Sequence, residues 1–194
     1  MFLEDYKKIV ESKLSPERFE HCLNVSKESK KLAQKYNCDF EKAQIAGLLH
    51  DITKEMPREE QKQLIEKHGI ILTEVQQKSF KLWHAISGYV FVKTQLNIKD
   101  KDILNAIRYH TSGRRNMSKF EKIIFVSDFI SEDRKYKSVE KIRRVAYNSL
   151  DDAVIRGIEY TTKSLIKKRS AVDPNSIEAY NDILFKNEAE TIDD

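Results

Sequence analysis

The sequence predicts an all-α protein, folded as a compact helical bundle. Three observations predict it. Only five Gly and three Pro interrupt 194 residues; with so few breakers, and Lys, Glu, Leu, Ile and Ala abundant, long helices win over a turn-rich β fold. Hydrophobic residues make up 40% and charged residues 34%, enough apolar material for one core beneath a heavily charged surface. No stretch alternates apolar and polar residues over a length that would build a sheet.

The elements follow in chain order. Ser15-Pro16-Glu17 reads as an N-cap with Pro at the first helical position, where an N–H would have no helical partner anyway. That helix carries Phe19, Cys22, Leu23, Val25, Leu32 and Ala33 and ends near Tyr36-Asn37. Asp39 caps the next, which carries Phe40, Ala43, Ala46, Gly47 and Leu48 and runs to His50-Asp51. Pro57 opens a helix from Arg58 to Lys67, and Gly69 stops it. Helical patterning then covers residues 73–95, with a break near Lys78, and residues 100–110. Residues 111–116 form a polar loop. Ser118 and Glu121 predict a reciprocal capping box at the start of a helix Lys119–Ile130. A charged loop, 131–137, precedes helices over 139–147 and 150–169, and Asp173-Pro174 opens a last one. Repeats, linkers and low-complexity tracts are absent. The expectation is one domain over residues 1–194, with 138–190 as C-terminal helices packed on its core.

The formal charge is +4, but both signs are interspersed and the C-terminal end is acidic. A duplex-DNA binder needs a basic stripe, so that class is excluded; a small polyanion, which a few local cations can hold, is not. No apolar run approaches bilayer length. Glu4 and Asp5 fall where a signal peptide would be apolar. Cys22 and Cys38 have no metal-type spacing and are too few for a disulfide framework, which predicts reduced thiols in a cytoplasmic protein.

The residues able to carry chemistry are His21, His50-Asp51, His84, His110 and Asp128. A helical bundle can bring such sequence-distant side chains to one point. Imidazole nitrogen and carboxylate oxygen suit a borderline divalent cation, which activates water and withdraws charge from a phosphoryl group. His50 and Asp51 are about 100° apart around a helix, so they can share one cation only at a helix end or edge. Asp128 follows the apolar run Ile123–Val126, where a carboxylate is costly to bury without a partner. His68, just before Gly69, suits a helix C-terminus and stays outside the site.

The order His21, His50-Asp51, Asp128 resembles the H…HD…D signature of the HD superfamily of metal-dependent phosphohydrolases. The finer pattern is similar to that of the bacterial HD-type symmetrical bis(5′-nucleosyl)-tetraphosphatases. It runs through Arg18-Phe19-Glu20-His21-Cys22-Leu23-Asn24-Val25 and Ala46-Gly47-Leu48-Leu49-His50-Asp51-Ile52-Thr53-Lys54. It continues in Trp83-His84-Ala85-Ile86-Ser87-Gly88, Ala106-Ile107-Arg108-Tyr109-His110-Thr111-Ser112-Gly113, Asp128-Phe129-Ile130 with Arg134, and Val172-Asp173-Pro174-Asn175-Ser176. The family usually shows Glu-Pro near Arg134, where this chain has Ser131-Glu132-Asp133, and often His where this chain has Asp173.

The resemblance implies an HD-type helical bundle in which His21, His50, Asp51 and Asp128 hold iron; manganese, cobalt or zinc suit the same donors. It implies one metal, with a second conceivable, and cleavage of diadenosine tetraphosphate into two ADP. His84 and His110 are expected to hydrogen-bond phosphate or protonate the leaving group, as side chains titrating near neutral pH, and Lys54 to place an ammonium near the phosphates. Nucleotide contacts are implied for His21, Asn24, Asp51, His84, His110, Asp128 and Arg134, and for Ala171, Val172, Asp173 and Asn175 ahead of the last helix. Arg114 and Arg115 flank His110; a solvated loop accounts for them better than contact with the second nucleotide. A homodimer is compatible with the apolar C-terminal helices. Two alternatives stay open: an HD phosphohydrolase of other nucleotide or alarmone specificity, and a nucleotide- or RNA-associated binding module without turnover.

Overall fold

The computed structural model describes residues 2–192, and within them every regular element is helical. In chain order these are α1 (Leu3–Glu11), α2 (Pro16–Lys35), α3 (Phe40–Leu49), α4 (Arg58–Lys67), α5 (Glu74–Lys78), a 3₁₀ turn (Phe80–Leu82), α6 (Trp83–Thr94), α7 (Lys101–Tyr109), α8 (Lys119–Ile130), α9 (Val139–Ala146), α10 (Leu150–Lys167) and α11 (Pro174–Ile192).

The start signals act as their chemistry requires. Ser15, Asp39, Thr73, Asp100, Ser118 and Ser149 each accept from a first-turn N–H. At the end of α4, Gly69 takes φ +68° and the Ile70 N–H reaches back to the Ile65 carbonyl, the αL arrangement that glycine permits without a Cβ penalty. His68 donates from Nδ1 to the Leu64 carbonyl, so its place is structural.

The break expected near Lys78 is present: at Ser79 (φ −115°, ψ 73°) it divides 73–95 into α5, the 3₁₀ turn and α6. Two readings need correction. Helix α1 was not anticipated; Tyr6 and Val10, one turn apart, bury it against the core. At α8, Ser118 Oγ does accept from the Glu121 N–H, but Glu121 does not reach back. Its buried carboxylate instead takes a two-pronged bond from Arg114, at 2.9 and 2.7 Å, a charge-assisted pair stronger than a bond to a neutral N–H. Arg114 is therefore tied to the core, while Arg115 is solvated as expected.

Helix α8 is the centre of the packing, in contact with α2, α3, α7, α9 and α10. Ile123, Ile124, Phe125 and Val126 are all buried, and burial of each such side chain stabilises the fold by about 1.5–3 kcal/mol. A helix covered on so many sides is apolar all round, which is why the Asp128 carboxylate on it is conspicuous. Helices α2 and α3 make the most extensive pairing. No helix of the described residues is long and apolar enough to cross a membrane. Both cysteines are free, Cys22 buried and Cys38 half-buried.

Candidate active site

His21, His50, Asp51, His84, His110 and Asp128 meet at one place. Their potential ligand atoms form three overlapping trios, His21/His50/Asp51, His50/His110/Asp128 and Asp51/His84/His110, each with all atoms within 4.8 Å of one another. The imidazoles form a row: centroids are 5.3 Å apart for His21–His50, 4.9 Å for His50–His110 and 5.1 Å for His110–His84.

Helix ends explain how these side chains are aimed. α3 stops at Leu49 and His50 is its C-cap, so the dyad sits at a helix terminus, where adjacent side chains can face one point. The last-turn carbonyls of a helix lack helical partners. His50 uses one: its Nδ1 lies 2.7 Å from the Gly47 carbonyl. His110, C-cap of α7, repeats the device with the Ile107 carbonyl at 2.8 Å. A carbonyl only accepts, so both Nδ1 atoms carry the proton and both Nε2 atoms present a lone pair inward. His21, in mid α2, donates from Nδ1 to Asp133 Oδ2 at 2.8 Å, with the same result.

Close helix packing sets the spacing. A Cβ on Gly47 would stand 2.6 Å from Ser29 Oγ and 3.0 Å from the Val25 carbonyl oxygen. Only glycine lets α3 approach α2 so nearly, and this approach brings His50 within reach of His21.

The carboxylates link the row. Asp128 Oδ1 lies 3.0 Å from His21 Nε2 and 3.8 Å from His50 Nε2. Asp51 serves both ends, with Oδ2 at 3.5 Å from His50 Nε2 and Oδ1 at 3.1 Å from His84 Nε2 and 3.5 Å from His110 Nε2. Burial pushes both carboxyls up, but the surrounding imidazoles, and for Asp128 also Arg134, overcome it and hold them well below the usual carboxylate range. Both are ionised at neutral pH.

The arrangement fits a metal ion. Donor atoms 3.0–3.8 Å apart match neighbouring ligands bonded at about 2.0–2.2 Å to one centre. His21 Nε2, His50 Nε2 and Asp51 Oδ1 are buried and have no hydrogen-bond partner. His21 Nε2 faces the Asp128 oxygen 3.0 Å away, a pair that a proton or a metal cation must join in a low-dielectric site. His21, His50, Asp51 and Asp128 could therefore hold one ion.

His84 and His110 flank that set, 3.1 Å apart at their Nε2 atoms. Burial pushes His84 down to about 4 against the pull of Asp51, so at neutral pH it is uncharged. That corrects the expectation of a group titrating near neutrality: the sequence does not show that the ring is enclosed. Lys54 Nζ stands 3.1 Å from His84 Nε2 and 3.6 Å from Asp51 Oδ1, a tethered positive charge on the Asp51/His84/His110 side.

Sequence reasoning left three contributors unassigned. Arg18, one turn before His21, puts Nη1 3.1 Å from Asp51 Oδ2; its i, i+3 spacing was the available signal. Thr53 is fully buried and donates to the His84 carbonyl at 2.9 Å, anchoring the start of α6 to the dyad loop. Asp133 gave no signal within its charged loop.

The other candidates lie around the row. Arg134 bonds the Asp128 carboxylate and main-chain oxygen. Asn24 is half-buried, one turn beyond His21 on α2. Asp173 caps α11, accepting from the Asn175 N–H at 3.0 Å and from Gln76 Nε2 at 3.3 Å. Ala171 and Asp173 line a cleft of about 260 Å³ whose opposite wall includes Phe80, Leu82 and Thr111, the residue after His110. Val172 and Asn175 are half-buried beside it.

Residues 18–133 match the HD domain family. The chain is also 37% identical over 172 residues to the symmetrical bis(5′-nucleosyl)-tetraphosphatase of Bacillus subtilis, spanning 89% of this chain and 92% of that one. It belongs to the HD-domain family of symmetrical tetraphosphatases. A second member of that HD family, the symmetrical bis(5′-nucleosyl)-tetraphosphatase of Halalkalibacterium halodurans, is 34% identical, with 92% of this chain and 95% of the relative covered. The HD fold is shared with a Clostridium acetobutylicum crystal structure described as a predicted HD superfamily hydrolase involved in NAD metabolism. The TM-score is 0.93 at 34% identity, over 96% of this chain and 98% of that one.

Proposed function

We infer that this protein is a metal-dependent hydrolase that cleaves diadenosine tetraphosphate and related dinucleoside polyphosphates symmetrically, releasing two nucleoside diphosphates. One observation carries the reading. The ordered family residues converge on buried, unpartnered lone pairs in a chain that matches the named tetraphosphatases over about nine-tenths of both lengths.

His21, His50, Asp51 and Asp128 would hold a cation, to which we assign iron, and it would supply charge neutralisation at phosphorus and activation of water. The remaining groups position substrate. Lys54 and Arg134 present cations to the phosphate chain, and Asn24 faces the ligand near the ion. His84 hydrogen-bonds phosphate oxygen and, in contact with the Lys54 ammonium, relays that ammonium's proton to the departing diphosphate; His110, with Nδ1 given to the Ile107 carbonyl, joins through Nε2 as an acceptor toward protonated phosphate oxygen. The backbone of Ala171, Val172, Asp173 and Asn175 borders one nucleoside. The described residues act as one domain in the cytoplasm, with the helices of 138–190 as its C-terminal part; Met1, Asp193 and Asp194 of the expected span 1–194 lie outside the described residues.

The test is incubation with diadenosine tetraphosphate and ferrous iron or manganese, with products resolved by ion exchange. Two ADP per substrate are expected. ATP with AMP, or no turnover, overturns the reading.

A further inference from the structure

We propose that the cleft lined by Glu17, Glu20, His21, Arg134, Lys135 and Tyr136 is the second nucleoside half-site, holding the half of the substrate that lies across the metal centre from Ala171–Asp173. The inference rests on the hydrolase reading above and deepens it.

A symmetrical cut places the middle P–O–P bridge at the reacting centre, so a nucleoside with two phosphates must extend to each side. The row of imidazoles has two ends. Toward the His84 end, Leu82 and Thr111, the neighbour of His110, border the cleft of Ala171 and Asp173. At the other end, His21 borders a separate cleft of about 480 Å³, within the range of about 300–1,000 Å³ typical of small-ligand sites. In the loop after His110, Arg114 is committed to Glu121, so that guanidinium is not available to a second phosphate chain.

The cleft carries the parts that a nucleoside diphosphate needs. Arg134 reaches from Asp128 into its wall, and Lys135, exposed and with no carboxylate within salt-bridge distance among the described residues, adds a cation beside it. Tyr136 supplies a half-exposed ring. It is rigid: its hydroxyl donates to the Phe129 carbonyl at 2.9 Å, and its ring packs on Tyr160 at 4.7 Å and Phe129 at 6.2 Å. A ring held in place and partly exposed at the cleft is a stacking platform for a base. Glu17 and Glu20 are exposed carboxylates on the facing helix α2, acceptors suited to ribose hydroxyls.

The test compares diadenosine tetraphosphate with adenosine 5′-tetraphosphate, which has the same phosphates and only one nucleoside, using the full chain loaded with manganese. In the wild type the two-nucleoside substrate is favoured in kcat/KM by at least about tenfold, the scale of one stacked base. Tyr136→Leu lowers that ratio at least about fivefold, whereas Tyr136→Phe, which keeps the ring, retains it; Lys135→Glu, at the phosphates both substrates share, slows both. A wild-type ratio near one overturns the half-site without any variant having to fold. So does an unchanged ratio in a folded Tyr136→Leu enzyme. A wild type that cleaves neither substrate overturns the hydrolase reading itself, and the half-site with it.

Discussion

Replacing Gly47 with alanine tests the link between helix packing and the metal centre. The added Cβ would meet Ser29 Oγ at 2.6 Å, and Ser26 Cα and the Val25 carbonyl oxygen at 3.0 Å, where ordinary contact starts at 3.4 Å. Ser29 can rotate away; the backbone atoms cannot, so α2 and α3 must part by the 0.4 Å difference between 3.4 and 3.0. Overpacking of this kind costs about 1–3 kcal/mol, and alanine recovers up to about 1 kcal/mol of helix propensity. The net loss is about 1–2 kcal/mol, a fall in Tm of about 2–8 °C for a chain of this size. The same parting widens the gap between His21 on α2 and His50 at the end of α3. Metal donors tolerate only about 0.2 Å of error, so metal affinity falls about tenfold or more. Gly88→Ala is the control, since its Cβ would meet nothing closer than 3.4 Å. Adding Ser29→Ala to Gly47→Ala removes the nearest clash and an unpartnered buried hydroxyl, and restores part of the loss. Thermal unfolding of the chelated protein reads the first effect and calorimetric metal titration the second. If Gly47→Ala matches Gly88→Ala in both, tight packing does not set the donor spacing.

Three further expectations follow from the same geometry. Asp133→Ala frees His21 Nδ1 and weakens metal binding about 10–100-fold, while Asp133→Asn, still an acceptor, loses less; equal titration curves for all three proteins would dismiss the contact at 2.8 Å. His84→Ala keeps its metal, because the ring is outside the four-ligand set, but lowers kcat for diadenosine tetraphosphate about 100-fold; full activity would remove His84 from the mechanism. The metal-free protein loses stability as pH falls from about 6.5 to about 4, because the unfolded chain takes up a proton that folded His84 refuses. Asp51 and Asp128 stabilise the fold fully above their ordinary value of 3.8, and that contribution is lost as pH falls further, toward their lower folded values. Denaturant midpoints against pH measure both, and His84→Gln should flatten the upper window.

The helices were legible because their punctuation is local. Ser15-Pro16, Asp39 and Gly69 act within one turn of themselves, so neighbours in sequence suffice to read them. α1 escaped notice because its anchors, Tyr6 and Val10, gain meaning only from the core they meet. Glu121 was misread for a related reason: Arg114 competes for it across a loop. In the site, the family pattern picked out the imidazoles and carboxylates that converge. The partners that orient them were illegible, because Asp133 reaches His21 across 112 positions of sequence. Protonation was equally hidden, since enclosure rather than residue type sets the state of His84.

Asp51 faces both the His50 side and the His84–His110 side of the row. In the proposed reaction, ion retention and phosphate handling would thus pass through one side chain, and neither could be tuned alone. A substitution there cannot yield a chain that keeps its ion but ignores substrate, nor the reverse. Under the proposed reading, adaptation to a different nucleotide would fall to the two outlying clefts, away from that shared carboxylate.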